Sequence, residues 1–140
     1  MRLMGLDVGS KTVGISVSDP LGWTAQAVEI IPIDEENEIF GIDRVAELVK
    51  KEQVAGFVIG LPKNMNNTIG PKGELSLEFK SRLENILSIP VYLEDERLTT
   101  VTANNVLISG NVSRKNRKKV VDSVAATIIL QGYLDRSGKR

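Results

Sequence analysis

This chain of 140 residues contains no histidine and no cysteine. The first absence excludes an imidazole general base, a serine–histidine triad and histidine-ligated zinc. The second excludes disulfides, thiolate nucleophiles and thiolate-bound metals, and suits a reducing cytoplasm. No apolar run reaches the roughly 18 residues of a spanning helix, and no basic segment precedes an apolar core at the N-terminus, so a soluble, unexported, cytoplasmic protein without membrane contact is expected. Carboxylates, hydroxyls, lysines and a hard, oxygen-ligated cation remain for chemistry. The length fits one domain over 1–140, able to bury about two-thirds of the surface its unfolded form exposes.

The formal net charge of zero conceals a separation. Residues 1–110 carry 10 basic and 16 acidic side chains, whereas residues 111–140 carry 8 basic and 2 acidic ones. The centre of the basic end is Arg114-Lys115-Asn116-Arg117-Lys118-Lys119, too dense for helix pairing alone with so few acids nearby. It reads equally as a phosphate-binding segment, since clustered Lys and Arg release counterions from nucleic acid, and as a solvated face or arm.

Hydrophobic periodicity predicts strands over 2–8, 12–18 and 25–33, the first two joined as a hairpin by Gly9-Ser10-Lys11, with a turn at Asp19-Pro20-Leu21-Gly22 between the second and third. Acids at Asp34-Glu35-Glu36 and lysines at Lys50-Lys51 suit the dipole of a helix over 34–51. The continuous apolar run 54–60 fits a central parallel strand. A long polar loop over 61–73, a helix to 88, a strand over 91–94 and helices over 99–109 and 115–134 follow. The order predicts an α/β fold: a five-stranded mixed sheet, three antiparallel strands then two parallel, with helices on both faces.

Within this frame three acidic positions stand out. Asp7 interrupts the apolar run Leu3–Val8, where an unpaired carboxylate is costly, and a period of two puts it on one face with Leu3, Gly5 and Gly9. The glycines leave that face open to close approach by a large group such as a sugar-phosphate backbone; the bland alternative is a turn-forming Asp before Gly9. Glu94-Asp95-Glu96 stands at the carboxyl end of the 91–94 strand, where ligand sites of open α/β sheets gather, although exposed acids with Glu96 paired to Arg97 would explain it as well. Asp122 breaks a helix that is apolar nearly all round from Val120 to Leu130. An N-cap explains it only if the helix does not extend upstream. Together the three could hold a divalent metal.

The stretches Gly5-Leu6-Asp7-Val8-Gly9-Ser10-Lys11, Ser18-Asp19-Pro20, Gly60-Leu61-Pro62, Asp95-Glu96-Arg97-Leu98-Thr99-Thr100, Val112-Ser113-Arg114-Lys115 and Asp122-Ser123-Val124-Ala125-Ala126 resemble, in order and over essentially the whole chain, the YqgF family, also called RuvX. The Asp-Glu-Arg-Leu-Thr-Thr segment is the most specific of them. The resemblance implies a ribonuclease H-like fold and a Holliday junction resolvase-like, metal-dependent nuclease that matures the 5′ end of pre-16S rRNA in the bacterial cytoplasm. It implies Asp7, the pair Asp95 and Glu96, and Asp122 as catalytic acids. Resolvases of the wider superfamily carry an acid on the strand after the first helix, but here that strand ends Ile59-Gly60-Leu61-Pro62. Glu96 is therefore the expected replacement, with Asp95 second.

On that footing Asp7, Glu96 and Asp122 would hold one or two Mg²⁺ or Mn²⁺ ions. Lys11 and Arg97 would neutralise phosphate charge, Thr12, Thr99 and Thr100 would offer hydroxyls to the backbone, and Arg114, Lys115, Arg117, Lys118 and Lys119 would guide the strand. Pre-rRNA is the expected partner, with branched DNA and a homodimer left open. Two other readings stay on the table: an RNA-binding assembly factor without catalysis, and an actin-like or sugar-kinase-type nucleotide-binding protein, suggested by Gly5-x-Asp7-x-Gly9-Ser10-Lys11-Thr12 but lacking Walker A spacing.

Overall fold

The computed structural model describes residues 2–34, 36–37, 39–62, 68–95 and 114–137, with the backbone alone for 114–124 and 137. Strands β1 (Arg2–Val8), β2 (Thr12–Ser18), β3 (Ala25–Pro32), β4 (Val54–Leu61) and β5 (Val91–Asp95) form one sheet in the order β3-β2-β1-β4-β5. β1 pairs antiparallel with β2, and β2 with β3, while β4 and β5 add in parallel beside β1. The expected mixed sheet is thus found, with strand ends within one residue of the periodicity. The β1–β2 link is as tight as its three residues allow: the Gly9 amide donates to the Thr12 carbonyl at 2.8 Å.

Alternation within each strand divides the apolar side chains between two cores. Met4, Leu6, Val8, Phe57 and Ile59 meet α1 (Ile42–Glu52) through Val45 and Leu48, and α2 (Pro71–Leu87) through Phe79 and Leu83. On the other face Leu3 and Val58 cluster with Ile129, Leu130 and Leu134 of α3 (Arg114–Ser137). Each fully buried large side chain contributes roughly 1.5–3 kcal/mol. The sheet is therefore fixed from both sides.

α3 seats closely because Gly5 has no side chain. A Cβ there would stand 2.4 Å from Ser16 Oγ, 2.7 Å from Leu130 Cβ and 2.8 Å from the Ala126 carbonyl oxygen. Ser16 Oγ uses the same approach to donate to that carbonyl at 2.8 Å. The open face expected at Gly5 is consequently filled by a helix rather than left for a ligand. α3 also grips the sheet edge. Gln131 accepts from the Ala25 amide at 3.0 Å through Oε1 and donates to the Trp23 carbonyl at 3.0 Å through Nε2.

The first helix differs from expectation: it begins at Ile42, after Gly41 in the left-handed region, and not at Asp34. Asp34 forms an isolated antiparallel bridge with Ile39, and its carboxylate accepts from the Asn37 amide and side chain at 3.3 and 2.6 Å. A short acidic side chain bonded to nearby backbone offers the chain an alternative to helix, and here that alternative wins. The expected polarity survives in the shorter helix, with Asp43 in its first turn and Lys50 and Lys51 in its last. The last helix runs longer than 115–134, while the helix expected over 99–109 lies outside the described residues.

Candidate active site

β1, β4 and β5 run parallel, so their carboxyl ends bring Asp7, Leu61 and Asp95 to one edge of the sheet. Asp7 shares the α3-facing side of β1 with Leu3 and Gly5, and its side chain is only 13% exposed. Lys11, exposed in the β1–β2 link, and Thr12, the first residue of β2, stand at this same edge.

α3 crosses β1 in the antiparallel sense: Leu3 clusters with Ile129, Leu130 and Leu134, whereas Gly5 lies against Ala126 and Leu130. The backbone of Asp122 is about one turn before Ala126 on the same helical face. That turn precedes the Gly5 contact along α3 as Asp7 follows Gly5 along β1. The backbone of Arg114, Lys115, Arg117, Lys118 and Lys119 forms the opening turns of α3, further in the same direction. The side chains of Asp122 and of these cations, and all of Glu96, Arg97, Thr99 and Thr100, lie outside the described residues.

The acidic end of β5 is split by strand alternation. Glu94 turns toward α3, is buried, and pairs with Arg136; a Cβ on Gly132 would stand 3.1 Å from its Oε2. Glu94 is thus a packed, charge-compensated residue and not the solvent-exposed strand-end acid that one of the two readings allowed. Asp95 is exposed on the opposite face of the sheet, two strands from Asp7 at the same end. Tyr92, on the face of Glu94, stacks on Tyr133 with ring centroids 5.5 Å apart.

A cation does approach Asp7. Lys72, in the first turn of α2, reaches around the strand ends from the other face and places Nζ 3.9 Å from Asp7 Oδ1. The sequence did not single out Lys72; its position in the stretch that follows the carboxyl end of β4 at Leu61 was the available signal, since ligand sites gather at such strand ends.

A recessed carboxylate at strand ends suits a hard cation, and oxygen is the donor this chain offers there. Among the described residues no three His, Cys, Asp or Glu side chains are grouped to share one ion.

A family model described as RuvX, Holliday junction resolvase, matches residues 1–136. The chain belongs to the RuvX family. Its relatives include a protein of Limosilactobacillus reuteri strain DSM 20016 named "Putative pre-16S rRNA nuclease", 72% identical over 99% of this chain and 96% of that protein. A protein of Limosilactobacillus fermentum with the same name is 64% identical over 99% and 97%. Among solved structures, Thermus thermophilus RuvC in complex with a Holliday junction substrate aligns over 99% of this chain and 97% of that one, with a TM-score of 0.59 at 17% identity. At that identity the likeness speaks for the fold, and this RuvX chain has the ribonuclease H-like architecture that the resemblance of its motifs implied. Among the described residues no helix is long and apolar enough to cross a membrane.

Proposed function

We propose that this RuvX chain is a single-domain, metal-dependent nuclease of the bacterial cytoplasm that hydrolyses phosphodiester bonds in the 5′ region of pre-16S rRNA. The observation that supports the reading is Asp7, an acid recessed at the carboxyl end of the central strand. The 72% identity to a relative bearing a pre-16S rRNA nuclease name supports the substrate.

Asp7, Glu96 and Asp122 are the residues that would hold Mg²⁺ or Mn²⁺, with Asp95 a weaker candidate because its strand position faces away from Asp7. The bound ion would supply Lewis acidity and a lowered pKa for the attacking water. The protein's own groups bind and orient. Lys11, Thr12, Arg97, Thr99 and Thr100 would contact the phosphates flanking the bond, and Arg114, Lys115, Arg117, Lys118 and Lys119 would draw the strand in by charge. Hydrolysis adds one water across the P–O bond and leaves a phosphate monoester and a hydroxyl.

The test is cleavage of a pre-16S 5′-leader RNA, beside a four-way DNA junction, by purified protein with Mg²⁺, Mn²⁺ or chelator. Metal-dependent cleavage of the RNA is expected, and Asp7→Asn should lower it by more than about 100-fold, since even the partners of metal ligands are commonly worth about 10- to 100-fold. Binding of the RNA without cleavage in every metal would instead make the chain an assembly factor. Cleavage confined to the junction would move the substrate to branched DNA.

A further inference from the structure

Lys72 occupies a position that helix physics disfavours. It lies in the first turn of the 17-residue α2, where the helix dipole repels a cation. It also has no acid three or four residues away in the sequence, for Thr68, Ile69, Leu75 and Ser76 stand there. The other cations of α2 follow the usual pattern: Lys80 pairs with Glu84 at 2.8 Å and Arg82 with Glu78 at 2.9 Å, each one turn apart. Lys72 reaches toward Asp7. Its Nζ is 3.9 Å from Oδ1, beyond hydrogen-bond length, and its side chain is 53% exposed against 13% for the carboxylate. A pair so exposed on its lysine side contributes little to stability, yet it places an ammonium at the mouth of the proposed ion site.

Resting on the nuclease reading above, we propose that Lys72 and the catalytic ion share Asp7 in turn. The ammonium neutralises Asp7 in the ion-free protein. When the ion loads, the two positive charges repel, and Lys72 moves its donors to the non-bridging oxygens of the phosphate being cleaved. Its flexible stem, three rotatable donors and partial exposure allow that exchange, and preplaced positive charge stabilises the negative charge that builds up in phosphoryl transfer. Lys72 is thereby a catalytic residue contributed by the sheet face opposite α3.

The proposal sets two measurements moving in opposite directions. Lys72→Met should bind Mn²⁺ about 3- to 10-fold more tightly by calorimetry without RNA, because a repelling charge is gone. It should also cleave about 10- to 100-fold more slowly in kcat, with KM changed less than about 3-fold. Lys72→Arg should keep Mn²⁺ affinity near wild type and recover part of the rate. Unchanged Mn²⁺ affinity in Lys72→Met, or a loss confined to KM, overturns the proposal. Asp7→Asn separates the two layers: if it abolishes cleavage while Lys72→Met cleaves and binds Mn²⁺ as wild type does, the exchange is wrong and the nuclease reading stands. If Asp7→Asn cleaves normally, the nuclease centre itself is misplaced.

Discussion

Asp7 and Asp19 mark opposite ends of the same sheet and use identical carboxylates in opposite ways. Asp19 spends its oxygen on its own turn, where Oδ1 accepts the amides of Trp23 at 2.6 Å and Thr24 at 3.1 Å. Its backbone closes the loop further, donating to the Thr24 carbonyl at 2.9 Å and accepting from the Gly22 amide at 2.9 Å. Asp7 faces a lysine from a distant helix. An aspartate whose hydrogen bonds are local builds structure, as short polar side chains in turns commonly do. One recessed among apolar neighbours and approached by a remote cation is suited to hold something else.

The largest effect that would break this contrast comes from the matched pair Asp7→Asn and Asp19→Asn. In a cleavage assay the first should lose more than about 100-fold and the second should remain within about 2-fold of wild type. Equal losses would erase the functional difference between the two ends. Next comes Gly5→Ala, which forces a methyl against Leu130 and the Ala126 carbonyl. A cost of about 1–3 kcal/mol is expected in urea unfolding, together with reduced cleavage, because α3 must lift away from β1 beside Asp7. Full stability would mean the helix seat is softer than its contacts imply.

Arg136→Met tests the partner of Glu94. Removing one member of a buried pair costs roughly 3–5 kcal/mol, but Arg136 is 66% exposed, so solvent screening reduces the expectation to about 1–2 kcal/mol by urea titration. The smallest effect belongs to pH at the Asp19 end. Chiefly the Thr24 amide, then that of Trp23, holds the Asp19 carboxyl below its ordinary range. A depressed folded pKa means the turn's stabilisation is present above the unfolded carboxylate value and lost as pH falls through the folded one. Fluorescence of Trp23, the sole tryptophan, should therefore change at acid pH in the wild type, below the ordinary carboxylate range, and that step should vanish in Asp19→Asn.

The sheet was legible in the sequence because its signals are local: alternation in Thr12–Ser18, an unbroken apolar run in Val54–Gly60, and a three-residue link at Gly9-Ser10-Lys11. The start of α1 was misread because acids at Asp34-Glu35-Glu36 resemble a helix N-terminus, while the Asp34–Ile39 bridge that outcompetes it depends on a pairing several residues away. Gly5 gave the right signal, a close approach, for the wrong visitor. At the site, Asp7 was visible as a misplaced polar residue in an apolar strand. Lys72 was not, because its meeting with Asp7 requires knowing that α2 starts where β1 ends, on the other face of the sheet. The burial of Glu94 was invisible for a similar reason: nothing near it in sequence announces Arg136 as its partner.

Gln131 holds the β2–β3 turn by a carbonyl and an amide of the main chain, not by any side chain that the turn displays. Leu21 and Trp23 at its tip are largely exposed, so the residues shown to the outside are decoupled from those that anchor the loop. Such an arrangement gives evolution a free variable: the tip can be rewritten for a different neighbour while the attachment to the last helix stays as it is.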